Sequence, residues 1–201
     1  MKRGLKYDFS LLALLLIPVG VSLNVVGYQL STILKLPLII DQIGTILVSL
    51  IAGPWVGLIT GLLANVVNGM INPIAIPYGL VSMSIGLAAG FFSRWGLFRN
   101  IFGIILSVIV LTVLSASTAA VVTVLLFGGV TGAGTDLVTA AFLAAGQELW
   151  RSVISTNLIT GTANTVINVA VGLLIVHRIP DRFLIKLNYG GQFIKKGAIK
   201  S

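Results

Sequence analysis

The residues best placed to do chemistry in this chain are amides set in apolar surroundings. Asn157, Gly161, Asn164, Asn168 and Gly172 are separated by 4, 3, 4 and 4 residues, so at about 100° per residue they share a narrow stripe of one helix. Asn65, Asn68 and Asn72, at spacings of 3 and 4, share a face of another. Amides in hydrocarbon demand partners. Two such faces either bond the backbones of neighbouring helices or meet around a polar pocket that holds a ligand. Asp41, in the apolar run Leu38-Ile-Ile-Asp-Gln-Ile, lies about one turn inside a candidate span; it is a ligand contact, a helix cap or a partner for Arg151. Tyr78 and Trp150 have rings that stack on a flat ligand or sit as aromatics at a membrane interface.

Other chemistry is excluded by residue type. The chain has no cysteine, which removes thiolate nucleophiles, zinc–thiolate sites and disulfides. Its five carboxylates, Asp8, Asp41, Asp136, Glu148 and Asp181, are scattered, and the single histidine, His177, stands beside Arg178 at the end of an apolar run as a membrane-flanking residue. There is no phosphate loop. The reading is therefore of a protein that is not an enzyme, with no catalytic residue, no metal and no cofactor. Any ATP-driven step belongs to another protein.

The elements that must position these groups follow from composition. Of 201 residues, 57% are hydrophobic and 18 are charged (13 basic plus 5 acidic), with a mean hydropathy of +1.08. A soluble domain carries roughly a quarter of its residues as charges, and a disordered chain needs low hydrophobicity. Recurrent apolar windows long enough to cross a core of about 30 Å imply a polytopic membrane protein built of helices. The breakers Pro37, Gly53-Pro54, Asn72-Pro73, Arg94 to Asn100 and Gly128 to Gly134 divide it into six spans, at roughly 9–30, 37–53, 54–71, 74–92, 101–127 and 155–177. Pro18 predicts a kink or local unwinding in the first.

Six crossings put both termini on one side. With that side cytoplasmic, Lys2, Arg3, Lys6, Arg94, Arg99, Arg178, Arg182, Lys186, Lys195, Lys196 and Lys200 lie inside, against Lys35 and Arg151 outside, as the positive-inside rule expects. The +8 net charge thus reports topology rather than a nucleic-acid partner. Residues 1–180 form a single membrane domain. Residues 181–201 form a basic cytoplasmic tail expected on the anionic lipid surface. Residues 135–151 predict a short helix over the extracellular mouth, with an apolar stripe of Leu137, Ala140, Ala141, Ala144 and Ala145. Among 23 glycines, Gly53, Gly57 and Gly61, and separately Gly86 and Gly90, recur every four residues, a spacing that lets helices pack closely in lipid. They serve either the bundle itself or, for Gly86 and Gly90, another membrane subunit.

Four stretches carry a family resemblance: Leu38-Ile-Ile-Asp-Gln-Ile-Gly-Thr-Ile-Leu, Ala52-Gly-Pro-Trp-Val-Gly-Leu-Ile-Thr-Gly, Asn65-Val-Val-Asn-Gly and Gly132-Ala-Gly-Thr-Asp-Leu-Val-Thr-Ala. In their order, within six spans, the chain from about 10 to 178 resembles the substrate-binding S components of energy-coupling factor (ECF) transporters. The resemblance implies a subunit in a bacterial plasma membrane that captures a vitamin at its outer face. It then docks on a transmembrane coupling protein carrying two ATPases and topples to release its cargo inside. Carried onto this chain, the pocket implied comprises Tyr78, Ser82, Glu148, Trp150, Asn157 and Asn164, capped by residues 29–37; Asp41 and Asn68 join it from the residue reading. Family members commonly carry an alanine pair spaced by three on the first helix, facing the coupling protein. Here Ala13 is followed four positions on by Ile17, and Ser10, Ala13 and Gly20 are taken for that face. A mostly uncharged, amide-rich pocket with an aromatic or two fits a vitamin B6 form or a thiamine-precursor pyrimidine, with riboflavin or cobalamin as larger alternatives. A related module serves elsewhere as a membrane ligand sensor without transport.

Overall fold

The computed structural model describes residues 8–36, 38 and 40–194; Lys2, Arg3, Lys6, Pro37, Lys195, Lys196 and Lys200 lie outside them. The described residues form helices joined by short turns: α1 (Leu11–Ile33), α2 (Ile43–Ala52), α3 (Pro54–Ile71), α4 (Gly79–Arg94), α5 (Ile101–Phe127), α6 (Asp136–Ala144), α7 (Leu149–Arg178) and α8 (Asp181–Leu184), with 3₁₀ turns at Pro73–Ala75, Leu97–Arg99 and Gly190–Phe193. Four of them, α1, α3, α5 and α7, are long and apolar enough to cross a membrane. The chain is accordingly an all-α, multi-pass membrane protein. α1 runs unbroken through Pro18, so the unwinding expected there does not occur.

The central element is α2. At ten residues it is about 15 Å long, half a hydrocarbon core, and every residue from Gly44 to Ala52 is buried. Its start is held from outside by Asn24 of α1, itself fully buried. The Asn24 Oδ1 accepts from the Gly44 and Thr45 N–H groups at 2.7 and 3.3 Å, and its Nδ2 donates to Thr45 Oγ1 at 2.7 Å. Orphan N–H groups at a helix start require such acceptors. The non-helical stretch before α2 is fastened to α1 where the Ile40 N–H donates to Ser31 Oγ at 3.0 Å. Such backbone is tolerated deep in a membrane protein where it is buried or lines a cavity.

The glycine ladders form an internal seam between α3 and α4. A Cβ at Gly86 would sit 2.6 Å from the Gly57 carbonyl carbon, one at Gly90 2.3 Å from Pro54 Cα, and one at Gly61 2.7 Å from the Ser82 carbonyl oxygen. Gly20 is closed in the same way, 2.7 Å from Thr60 Cγ2, while Ala13 is buried and packs with Val48, Ala52 and Val56. Ala13, Gly20, Gly86 and Gly90, taken as a partner-facing surface, therefore face the interior of this chain. Of that set only Ser10 is partly exposed, and its hydroxyl caps α1 by accepting from the Ala13 N–H at 3.2 Å.

The tail also departs from expectation. Through Ile194 it folds back beneath α2: Leu184 and Leu187 join the hydrophobic core, and Tyr189 is 3% exposed. The Tyr189 N–H donates to the Ile51 carbonyl at 3.3 Å, and its hydroxyl donates to Asp8 Oδ1 at 2.9 Å. The Gln192 amide donates to the Ser93 hydroxyl, which donates in turn to the Leu50 carbonyl at 2.7 Å. Gly53, at φ 106°, makes the sharp turn from α2 to α3 and lies against the Tyr189 ring. Residues 181–194 thus close one end of the bundle instead of lying apart on a lipid surface. Buried aromatic and leucine side chains outweigh the surface attraction of the few lysines.

Candidate functional site

At the other end the helices splay around a cavity of about 510 Å³, a size usual for small-molecule sites. α7 contributes Thr156, Asn157, Thr160, Gly161 and Asn164; α5 contributes Ser115 and Thr123; α4 and the turn before it contribute Ser82 and Tyr78; α3 and its C-cap contribute Asn65 and Asn72. The C-terminal end of α1 (Tyr28, Ser31, Lys35), the stretch with Asp41 and Gln42, and the 131–139 segment complete the rim.

Most of the polar groups in the wall are tied to each other. Asn65 Nδ2 donates to Ser82 Oγ at 2.7 Å and to the Gly61 carbonyl at 3.0 Å. Asn72 Nδ2 donates to Tyr28 Oη at 3.0 Å. The Tyr78 hydroxyl and Thr123 Oγ1 are 2.6 Å apart, and the Tyr78 ring lies parallel to Phe127 at 6.1 Å. Thr139 of α6 donates to Thr156 at 3.1 Å. The Asp136 carboxylate accepts from the Thr131 N–H (2.8 Å), the Thr131 hydroxyl (3.2 Å) and the Gly132 N–H (2.6 Å), so it is committed to shaping its own loop. Asn157 differs: its Nδ2 is buried and has no hydrogen-bond partner among the described residues. An unpaired buried donor costs about 1–3 kcal/mol, a cost that a ligand acceptor would remove.

Of the residues expected in the pocket, Asp41, Tyr78, Ser82, Asn157 and Asn164 line this cavity. Asn68, Glu148 and Trp150 do not. Asn68 is 2% exposed, turned into a helix contact one turn from the lining Asn65 and Asn72. Glu148 is exposed and precedes α7. Trp150 is 44% exposed, two turns and about 10 Å above Asn157 along the helix, beyond the mouth. Asn168, fully buried, lies one turn past Asn164 on α7 and outside the lining. α6 does form near the mouth, but its expected apolar stripe is largely exposed: Leu137, on the cavity rim, is 76% exposed, and Thr139 is the buried residue of the helix.

Sequence reasoning missed Tyr28, Asn24 and the hydroxyl rows of α5 and α7. Thr156 and Thr160 flank the asparagine stripe at helical spacing and were readable from it; Asn24 acts across 20 residues and left no local signal. Among the described residues no group of three metal-ligating side chains occurs.

The fold and site define a helical membrane protein with a polar, ligand-sized cavity open at one end of the bundle and closed at the other. Comparison of the chain with protein-family models, with curated proteins and with solved structures finds no match.

Proposed function

We propose that this chain is the substrate-capturing S component of an ECF-type importer in a bacterial plasma membrane. It takes up a vitamin or vitamin precursor and delivers it with a transmembrane coupling protein and two ATPase subunits. The observation that carries the reading is the cavity of about 510 Å³ with an unpaired buried amide in its wall. In this reading α2, with the stretch before it, and α4 complete six crossings, and both termini are cytoplasmic. Charge supports that orientation: Arg94, Arg99, Arg178, Arg182 and Lys186 follow the ends of α4 and α7 away from the cavity, whereas Lys35 lies on its rim and Arg151 at the start of α7. The cavity then faces outward, towards the substrate.

Its lining of hydroxyls and amides with two tyrosines suits a compact ring compound, a vitamin B6 form or a thiamine-precursor pyrimidine; the volume of about 510 Å³ also holds riboflavin, and a corrinoid would overfill it. The test is calorimetry on the purified full chain in detergent against a panel of B vitamins and precursors, followed by uptake into vesicles with the ATPase module present and absent. Tight binding of one small ring compound and uptake only with module and ATP are expected. Binding without any module-dependent uptake would favour a ligand-sensing role, and silence across the panel from folded protein would overturn the vitamin reading.

A further inference from the structure

The charges around the cavity are unequal in a way that bears on which form of a ligand it accepts. Among the described residues two carboxylates line it, Asp41 and Asp136, and one cation, Lys35. Asp136 is held by three hydrogen bonds from its own loop. Lys35 sits on the exposed rim, where water already solvates it. Among the described residues no arginine lines the cavity, and arginine is the side chain whose forked donors match phosphate and carboxylate. Asp41 is partly exposed, facing the cavity, and among the described residues no cation pairs with it. A carboxylate in such surroundings gains most from a ligand cation. Tyr28 and Tyr78, both in the lining, favour the same charge, because aromatic faces attract cations. Asn157 Nδ2, the buried donor without a partner, calls for an acceptor on the ligand.

Resting on the capture reading above, we propose that the cavity selects the free, unphosphorylated form of a small ring compound bearing a protonated nitrogen, with that nitrogen at Asp41 and a ring or hydroxyl acceptor at Asn157. A phosphorylated form would bring negative charge into a wall of hydroxyls, amides and an uncompensated carboxylate, and would be left without donors able to replace its water. Phosphorylation of the cargo must then follow uptake, so the reaction class that consumes it inside the cell is a kinase-type phosphoryl transfer.

The experiment is calorimetry on the full chain in detergent with pyridoxamine, pyridoxine, pyridoxamine phosphate, hydroxymethylpyrimidine and its phosphate. Each free amine or aminopyrimidine is expected to bind at least tenfold more tightly than its phosphate. Pyridoxamine is expected to exceed pyridoxine, and Asp41→Asn to erase that excess; Lys35→Ala is expected to leave the order unchanged. The comparison of free and phosphorylated ligands uses the unaltered protein, so it stands even where Asp41→Asn fails to fold. Phosphates binding as tightly as the free compounds, or an unchanged pyridoxamine-to-pyridoxine ratio in a folded Asp41→Asn protein, overturns this inference alone. Silence with all five compounds, from protein that melts cooperatively, overturns the capture reading and this inference with it.

Discussion

The two ends of the bundle treat buried polar groups in opposite ways. At the closed end, Tyr189, Gln192 and Ser93 form a chain of hydrogen bonds onto the carbonyls of α2 and onto Asp8. At the open end, hydroxyls and amides line a cavity, and Asn157 keeps a donor unused. The first pattern is that of packing, where most polar groups find partners within the chain and, among the described residues, only the second Asp8 carboxylate oxygen in this network is buried without one. The second is that of a site, where part of the hydrogen-bonding capacity is left for something that arrives. Composition does not separate the ends, since both use serine, tyrosine, aspartate and a side-chain amide. The location of the partners does.

Substitutions can break this contrast, and the largest effect is expected in the seam that both ends depend on. Gly86→Val places a side chain against the Gly57 backbone, 2.6 Å from its carbonyl carbon, and should cost about 3 kcal/mol or more. The expected outcome is loss of monodisperse protein in detergent, read by size-exclusion chromatography and thermal unfolding. A satisfied and an unsatisfied asparagine should then part company. Asn24→Ala removes three bonds at the start of α2 and is expected to lower stability by about 2–3 kcal/mol, visible as a drop in Tm with or without ligand. Asn157→Ala should leave the ligand-free Tm unchanged and weaken binding by about 1–2 kcal/mol, because its Nδ2 has no partner to lose. A ligand-free Tm that falls as far as that of Asn24→Ala would place Asn157 with the packing residues.

The closed end carries a smaller, pH-dependent signature. Asp8 lies before α1, and burial pushes its carboxyl above the usual range, against the opposing pull of the Tyr189 hydroxyl, the Arg94 charge and the Trp55 backbone N–H. The folded state therefore favours the protonated form. This contribution is complete below the unfolded value and declines as pH rises through the raised one. Melting followed from pH 4 upward, roughly the unfolded carboxyl range, should show that decline, and Asp8→Asn should flatten it. The least expected change is at Gly161→Ala: the nearest atom to its Cβ is Ser115 Oγ at 3.7 Å, so stability should stay within about 0.5 kcal/mol, while the narrowed cavity shows in the affinity for the largest ligand tolerated.

Much of the architecture was readable along the chain because hydrocarbon makes burial and helicity nearly synonymous. The ends of α3 and α5 fall where Pro54, Asn72-Pro73 and Gly128 mark them. α2 is shorter than the span read at 37–53, because hydropathy registers apolar residues and not what surrounds them; its residues from Gly44 to Ala52 are all buried in protein. The asparagine stripe of α7 was half legible. Its period assigned Asn157, Asn164 and Asn168 to one face, yet the cavity ends above Asn168. Depth along a helix depends on neighbours that the stripe does not encode.

By itself the sequence determined the class: an apolar chain with few charges, proline and glycine breaks, and apolar runs long enough to cross a bilayer reads as a bundle of membrane helices. It also set out the small-residue ladders and the two amide faces, since both are periodicities of single helices. Only the tertiary structure decided that the ladders meet each other, that Asn24 starts α2 from another helix, that the tail seals one end, and that Asp41 and Asn157 open on one cavity. Each of these is a pairing between distant segments, fixed by which surfaces come within van der Waals and hydrogen-bonding reach, and no local spacing carries that information.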